Sequence, residues 1–167
     1  MLYLFYYMIK ALVSDFSRVL LLPIDAKHVG GLNALHKKLS AQGNYDFWTN
    51  FRLNDALLAF YKTLSARIDI YIFTAEYIQE YPALEPKLKG VFKNIFSAAR
   101  LGVKKDDPQA YKAITTKIGL KPKEILYMDD SQTNCNAAKQ AGMAVIHYQS
   151  NDQAKNEISE IIVSTVI

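Results

Sequence analysis

Three short apolar runs of this chain end in side chains able to handle a phosphoryl group or a divalent cation. Asp15 closes the run from Ile9 to Ser14 (IKALVS), Thr74 closes Ile68 to Phe73 (IDIYIF), and the pair Asp129-Asp130 closes Glu124 to Met128 (EILYM). Lys104-Lys105 stands just ahead of Asp107-Pro108. Carboxylates gathered at one place repel each other unless a cation sits among them. A hard ion such as Mg²⁺, held by one or two carboxylates and by substrate phosphate oxygens, suits that set. Lys105, or Lys104 in the neighbouring register, adds a fixed positive charge. His28, His36 and His147 lack metal-ligand spacing and read as surface or packing residues. The one cysteine, Cys135, excludes a multi-cysteine zinc site or an intramolecular disulfide framework and reads as a buried, inert thiol.

The elements that must position these residues are legible from their composition. The three runs, with Asn94 to Ser97 and Met143 to Tyr148, have the β-branched and aromatic character of buried strands, and helical patterns separate them. That alternation predicts an α/β fold, a Rossmann-like parallel sheet of about five strands with helices on both faces. In such a sheet the ligand crevice lies outside the carboxyl ends of the strands, so acids at strand ends converge. Asn54 predicts a helix N-cap ahead of Leu57, Leu58, Tyr61 and Leu64. Asp107-Pro108 predicts a cap with proline in the first turn, Gly119 the end of that helix. Gln132 to Ala141 reads as a small-residue helix packed closely on the sheet, and Gln149 to Ile161 as a final helix. Ser131 reads as a cap or turn residue, and one acid of the pair as a further cap. Leu32, Leu35, His36 and Leu39 mark a helix outside the alternation.

With 167 residues, half of them apolar, the chain suits one domain with a substantial core. The net charge of +4 comes from scattered lysines, with no basic stripe interleaved with aromatics, so no nucleic-acid partner is expected. Met1 to Tyr7 is apolar but meets Lys10 too early for a membrane span, so no membrane partner is expected. It reads as a strand extension or as sequence ahead of a true start at Met8. The single cysteine points to a reducing, cytoplasmic setting.

The order Asp15, Thr74, Lys105, Asp129-Asp130 resembles the four motifs of the haloacid dehalogenase (HAD)-like hydrolase superfamily. IKALVSDFSRVL is similar to the first motif, IDIYIFTAEY to the second, LGVKKDDPQAY to the third and EILYMDDSQTNCNAAKQAGMAVIHY to the fourth. The resemblance runs from about Ile9 to Tyr148. Response-regulator receivers use similar residues, but there the acidic pair comes first in the chain. The resemblance implies that Asp15 is the nucleophile forming an aspartyl-phosphate, that Thr74 and Ala75 bind the phosphoryl group, and that Lys105 neutralises the nucleophile and the transferring group. It implies Mg²⁺ bound by Asp15, Asp129, Asp130 and the backbone carbonyl of Ser17.

The chain departs from the pattern at three places. Ser17 stands where the family's phosphatases usually carry a second Asp that protonates the leaving oxygen. Arg18, a further candidate substrate-binding residue, follows where a small residue is common. Asp106 replaces a proline beside Lys105. Residues 23–51 leave room for only a small helical cap inserted into a core of residues 1–22 and 52–167, with His28, Trp48 and Arg52 as the cap side chains expected to reach substrate. Trp48 and Phe51 read chiefly as cap core. The expected function is an Mg²⁺-dependent phosphatase acting on a small phosphorylated substrate or a phosphoprotein, with a homodimer as one way to cover the open site. The alternatives are a non-catalytic relative that keeps the metal and phosphate site, and a metal-independent haloacid dehalogenase.

Overall fold

The computed structural model describes residues 8–163, so the expectation for Met1 to Tyr7 lies outside the described residues. In chain order the elements are β1 (Ala11–Ser14), β2 (Leu21–Pro23), α1 (Leu32–Ser40), β3 (Phe51–Leu53), α2 (Asp55–Leu64), β4 (Asp69–Thr74), α3 (Glu85–Leu88), β5 (Asn94–Ser97), α4 (Ala98–Leu101), α5 (Pro108–Ile118), β6 (Ile125–Asp129), α6 (Gln132–Gln140), β7 (Ala144–His147) and α7 (Asn151–Val163). Five strands form one sheet in the order β5-β4-β1-β6-β7, and every pairing in it is parallel. β1 is central, which explains why all four of its residues are buried.

Side chains alternate across a strand, so the sheet needs apolar cover on both faces. Leu12, Ile70, Ile72, Leu126 and Met128 point to the face covered by α2 and α7, where Leu57, Tyr61, Ile158 and Ile162 pack. Ala11, Val13, Phe73 and Tyr127 point to the other face, covered by α5 and α6. On α6 the buried residues are Cys135, Ala137 and Ala138, small enough for close approach to the strands. The expected caps form: Asn54 accepts from the amide of Leu57, and Asp107 from that of Gln109. Gly119 ends α5 in the left-handed conformation (φ 79°) that a side chain would resist.

The sequence pattern predicts no strand at residues 21–23 or 51–53, yet these segments pair antiparallel as a two-stranded sheet, with Pro23 opposite Phe51. Three residues are too few to display an alternation, and Pro23 argues against a strand by composition. The chain between them, residues 24–50, carries α1 and a 3₁₀ turn at Phe47–Thr49. This segment has no separate core. Leu32, Phe47 and Phe51 belong to the apolar cluster under α2 and α7, and Tyr81 stacks on Phe47 with ring centroids 4.6 Å apart. Phe51 is fully buried, but Trp48 is 38% exposed and lies edge-on to Phe47, so only the first of the two is core.

Candidate active site

The carboxyl ends of β1, β4 and β6 bring the candidate residues to one rim. Asp15 follows β1 directly, and its amide donates to the carbonyl of Met128 on β6 (2.8 Å), which fixes the first acid beside the strand that carries the others. Ser14 is anchored from the α2 side by the Tyr61 hydroxyl (2.9 Å) and donates to the carbonyl of Asp15 (2.8 Å). Oxygens of Asp15, Asp129 and Asp130 lie within 4.8 Å of one another, the one group of three such ligands among the described residues.

Lys105 is the lysine of the site. It is 7% exposed, and its Nζ lies 2.5 Å from Asp15 Oδ1 and 2.7 Å from Asp129 Oδ2, whereas Lys104 is exposed. Asp106 beside it is exposed at the cavity wall, and the partners of Lys105 are Asp15 and Asp129. Tyr111, on α5, donates its hydroxyl to the Lys105 carbonyl (2.8 Å), so the helix opened by Asp107-Pro108 holds the lysine loop in place.

The electrostatics follow from this crowding. Burial pushes the Asp15 carboxyl up to about 7; Lys105 opposes the rise and Asp129 adds to it. Burial works to lower Lys105, but Asp15 and Asp129 outweigh it and hold the ammonium above its ordinary value. Asp130 is also raised, by burial first and then by Asp129. Three carboxylates face one buried ammonium, and an additional cation is the simplest relief. All three offer hard oxygen donors, so this set fits Mg²⁺.

Asp129 is the most heavily supported acid. It accepts from the Tyr127 hydroxyl, the Asn134 amide (3.1 Å) and the Ser131 backbone N–H (2.8 Å). Ser131 caps α6, accepting from the amide of Asn134, as its type suggests. The backbone carbonyl of Asp130 is held by His147 Nε2 (2.9 Å). Cys135 is buried behind the pair, its thiol pushed up to about 11 by burial. Tyr127, Asn134 and His147 were missed by sequence reasoning; only the folded register of β6, α6 and β7 shows their role.

Thr74 is fully buried at the end of β4, and its hydroxyl oxygen has no hydrogen-bond partner among the described residues. The Ser17 hydroxyl is likewise sealed and unpartnered. A cavity of about 430 Å³ opens above the acids. Its walls include Asp15, Ser17 and Arg18 on one side and Ala75, Glu76 and Lys105 on the other. Gly31, Leu32, Asn33 and Ala34 close the cap side. His28, Trp48 and Arg52 are not among its lining residues, contrary to expectation, because the first turn of α1 faces the site while Trp48 and Arg52 sit on the 3₁₀ turn and β3 beyond it. Arg18 adopts φ 65° and donates Nη2 to the carbonyls of His28 (3.1 Å) and Gly30 (2.7 Å). It therefore fastens the loop after Asp15 to residues 28–30 as well as lining the cavity.

A family model described as haloacid dehalogenase-like hydrolase matches residues 14–142. The chain is 27% identical over 110 residues to flavin mononucleotide hydrolase 1 of Arabidopsis thaliana, covering 64% of this chain and 44% of that protein. It is 44% identical over 59 residues to enolase-phosphatase E1 of Persephonella marina, covering 35% of this chain and 25% of that protein. It is 29% identical over 75 residues to bifunctional epoxide hydrolase 2 of Sus scrofa, covering 45% of this chain and 14% of that protein. The chain thus spans less than half the length of these curated relatives. A HAD family enzyme from Bacteroides thetaiotaomicron, solved with magnesium and inorganic phosphate, superposes with a TM-score of 0.62 at 16% identity, over 86% of this chain and 96% of that one. A 2-haloacid dehalogenase from Pseudomonas syringae superposes with a TM-score of 0.63 at 13% identity, over 94% and 99%. At these identities the superpositions speak for the fold. No helix among the described residues is long and apolar enough to cross a membrane.

Proposed function

The chain belongs to the haloacid dehalogenase-like hydrolase family, and from that premise we propose that it is an Mg²⁺-dependent phosphatase acting through an aspartyl-phosphate on Asp15. One observation carries this reading: Lys105 is locked between Asp15 and Asp129, with Asp130 close enough to complete a cation site. A metal-independent dehalogenase would have no use for three carboxylates at such separations. Two of the named relatives, the flavin mononucleotide hydrolase and the enolase-phosphatase, are consistent with phosphate chemistry.

Asp15, Asp129, Asp130 and the Ser17 carbonyl would hold the ion, which supplies charge neutralisation at the phosphoryl oxygens. The rest falls to the chain. Lys105 opposes the protonation of Asp15 that burial favours and offsets charge on the incoming phosphoryl group, so an anionic nucleophile can approach an anionic substrate. The backbone at Ala75, which lines the cavity, binds phosphoryl oxygens, with the unpartnered Thr74 hydroxyl directly behind it at the end of β4. The Asp15 carboxylate oxygen forms a bond to phosphorus as the bond to the leaving oxygen breaks, and water then attacks phosphorus to release phosphate and restore the carboxylate. The cavity volume suits a small phosphorylated molecule better than a folded phosphoprotein, lying in the lower part of the range for small-ligand sites.

The test is phosphate release from p-nitrophenyl phosphate. Release with Mg²⁺, lost on chelation and in Asp15→Asn, supports the reading. A second reading, a binding protein that keeps the site without turnover, is favoured by Ser17, which offers no acid for the leaving group. It requires that Mg²⁺ and phosphate bind while no substrate is hydrolysed.

A further inference from the structure

Asn33 lies on the first turn of α1 and borders the cavity from the cap side. Its Oδ1 accepts from two backbone amides, Tyr77 N–H (3.1 Å) and Ile78 N–H (2.9 Å), in the segment that follows Thr74 and Ala75. Two N–H donors on one atom assign the amide: the oxygen faces the backbone and the nitrogen faces away. The residue is half-buried, and its Nδ2 has no partner among the described residues. The first turn of the cap helix is therefore clasped to the core segment downstream of the phosphoryl-binding residues, while the same residue lines the cavity and keeps a spare donor. On the other side Arg18 ties the carbonyls of His28 and Gly30 to the nucleophile's loop. The cap segment between these two fastenings is a fixed wall, and a donor on a fixed wall loses little freedom when a ligand engages it.

We propose that Asn33 is a specificity-determining residue whose Nδ2 donates to a carbonyl-type oxygen on the non-phosphate portion of the substrate. This rests on the phosphatase reading for the placement of the phosphoryl group at Asp15, and it goes further by naming a feature of the leaving portion. The donor has no negative charge of its own and offers two N–H bonds. A neutral acceptor fits it better than a cation does. Glu76 and Asp106 at the same cavity disfavour a second strongly anionic group there.

The probes are phosphonates, in which carbon replaces the leaving oxygen on phosphorus: 2-oxopropylphosphonate and 3-oxobutylphosphonate, which carry the ketone at two reaches, against propyl- and butylphosphonate. Binding is measured calorimetrically with Mg²⁺ for the wild type, Asn33→Asp and Asn33→Ala, with thermal midpoints alongside. One neutral hydrogen bond corresponds to about a fivefold preference for a ketone over its alkyl partner in the wild type. Asn33→Asp keeps the acceptor that clasps Tyr77 and Ile78 and removes the donor, so its thermal midpoint should hold while the preference vanishes. Asn33→Ala loses both, so the midpoint falls and all four probes bind more weakly. The proposal is overturned if the wild type binds no phosphonate, if it shows no ketone preference at either length, or if Asn33→Asp retains the preference. Phosphate release from acetyl phosphate is followed in parallel. Release without a ketone preference sinks the Asn33 role and leaves the phosphatase reading intact; a ketone preference without release does the reverse.

Discussion

At the scale of single residues, Lys105 balances the buried charge of the site. Its ammonium is almost sealed between two carboxylates, so removing it leaves buried negative charge with no counter-charge against it. Breaking such a pair from one side costs about 3–5 kcal/mol, most of it the penalty of the stranded charge. Lys105→Met should therefore lose stability of that order in urea unfolding at pH 7, and adding Asp129→Asn should restore part of it. A loss below about 1 kcal/mol would mean that the site is wetter than its burial implies. Ser17 sets a chemical limit instead. Its hydroxyl is a poor acid at neutral pH, and missing acid catalysis costs ~10² to 10⁴ in rate where the leaving group needs a proton. Acyl and aryl phosphates should thus be turned over much faster than sugar phosphates, and Ser17→Asp should raise the sugar-phosphate kcat by about 10² while changing aryl turnover little. Equal wild-type rates on the two classes would refute this account.

At the scale of elements, the strand ends were readable because each buried strand is an apolar run stopped by a polar side chain, as at Val13-Ser14-Asp15 and Met128-Asp129. The main helices were readable from caps that act locally, such as Asn54 and Asp107. The β2–β3 pair was not, since its six residues gain their pairing from tertiary closure. The clasp of Asn33 on Tyr77 and Ile78 was hidden for the same reason, as Tyr77 lies 44 positions along the chain from Asn33. Within the cap, α1 packs through His36, whose Nδ1 meets the Tyr45 hydroxyl at 2.8 Å among the rings of Phe47, Phe51 and Tyr81. Burial holds this imidazole below its ordinary value of 6.5. The unfolded chain therefore takes up the proton first as pH falls, so the stability gained from a neutral His36 is present above 6.5 and is lost as pH drops through the lower folded value. Trp48, the one tryptophan, touches Phe47 and reports on this cluster. Its emission should show a transition below pH 6.5 that His36→Gln abolishes. A transition unchanged in that variant would place the titrating group elsewhere.

At the scale of the whole molecule, the fold concentrates negative charge at one rim although the chain is basic overall, with a net charge of +4. The parallel sheet makes this possible because β1 and β6 are neighbours and both end at the same edge. Stability and function then oppose each other in the metal-free protein. The Asp15 carboxyl is raised from 3.8 to about 7, chiefly by burial, so the folded state holds its proton more tightly than the unfolded chain does. The favourable contribution of the protonated group is complete below 3.8 and is lost as pH climbs toward 7, the opposite direction to His36. A cation bound only by the folded state reverses that loss, by about 2.7 kcal/mol when free Mg²⁺ exceeds its Kd a hundredfold. In a chelator, the thermal midpoint of a His36→Gln background should fall between pH 4 and 7, and Asp15→Asn should flatten that fall. Saturating Mg²⁺ should raise the midpoint most at the upper end of the window, and Asp130→Asn should shrink the rise. An Mg²⁺ effect equal at pH 4 and pH 7 would show that the ion is not competing with protons for these carboxylates.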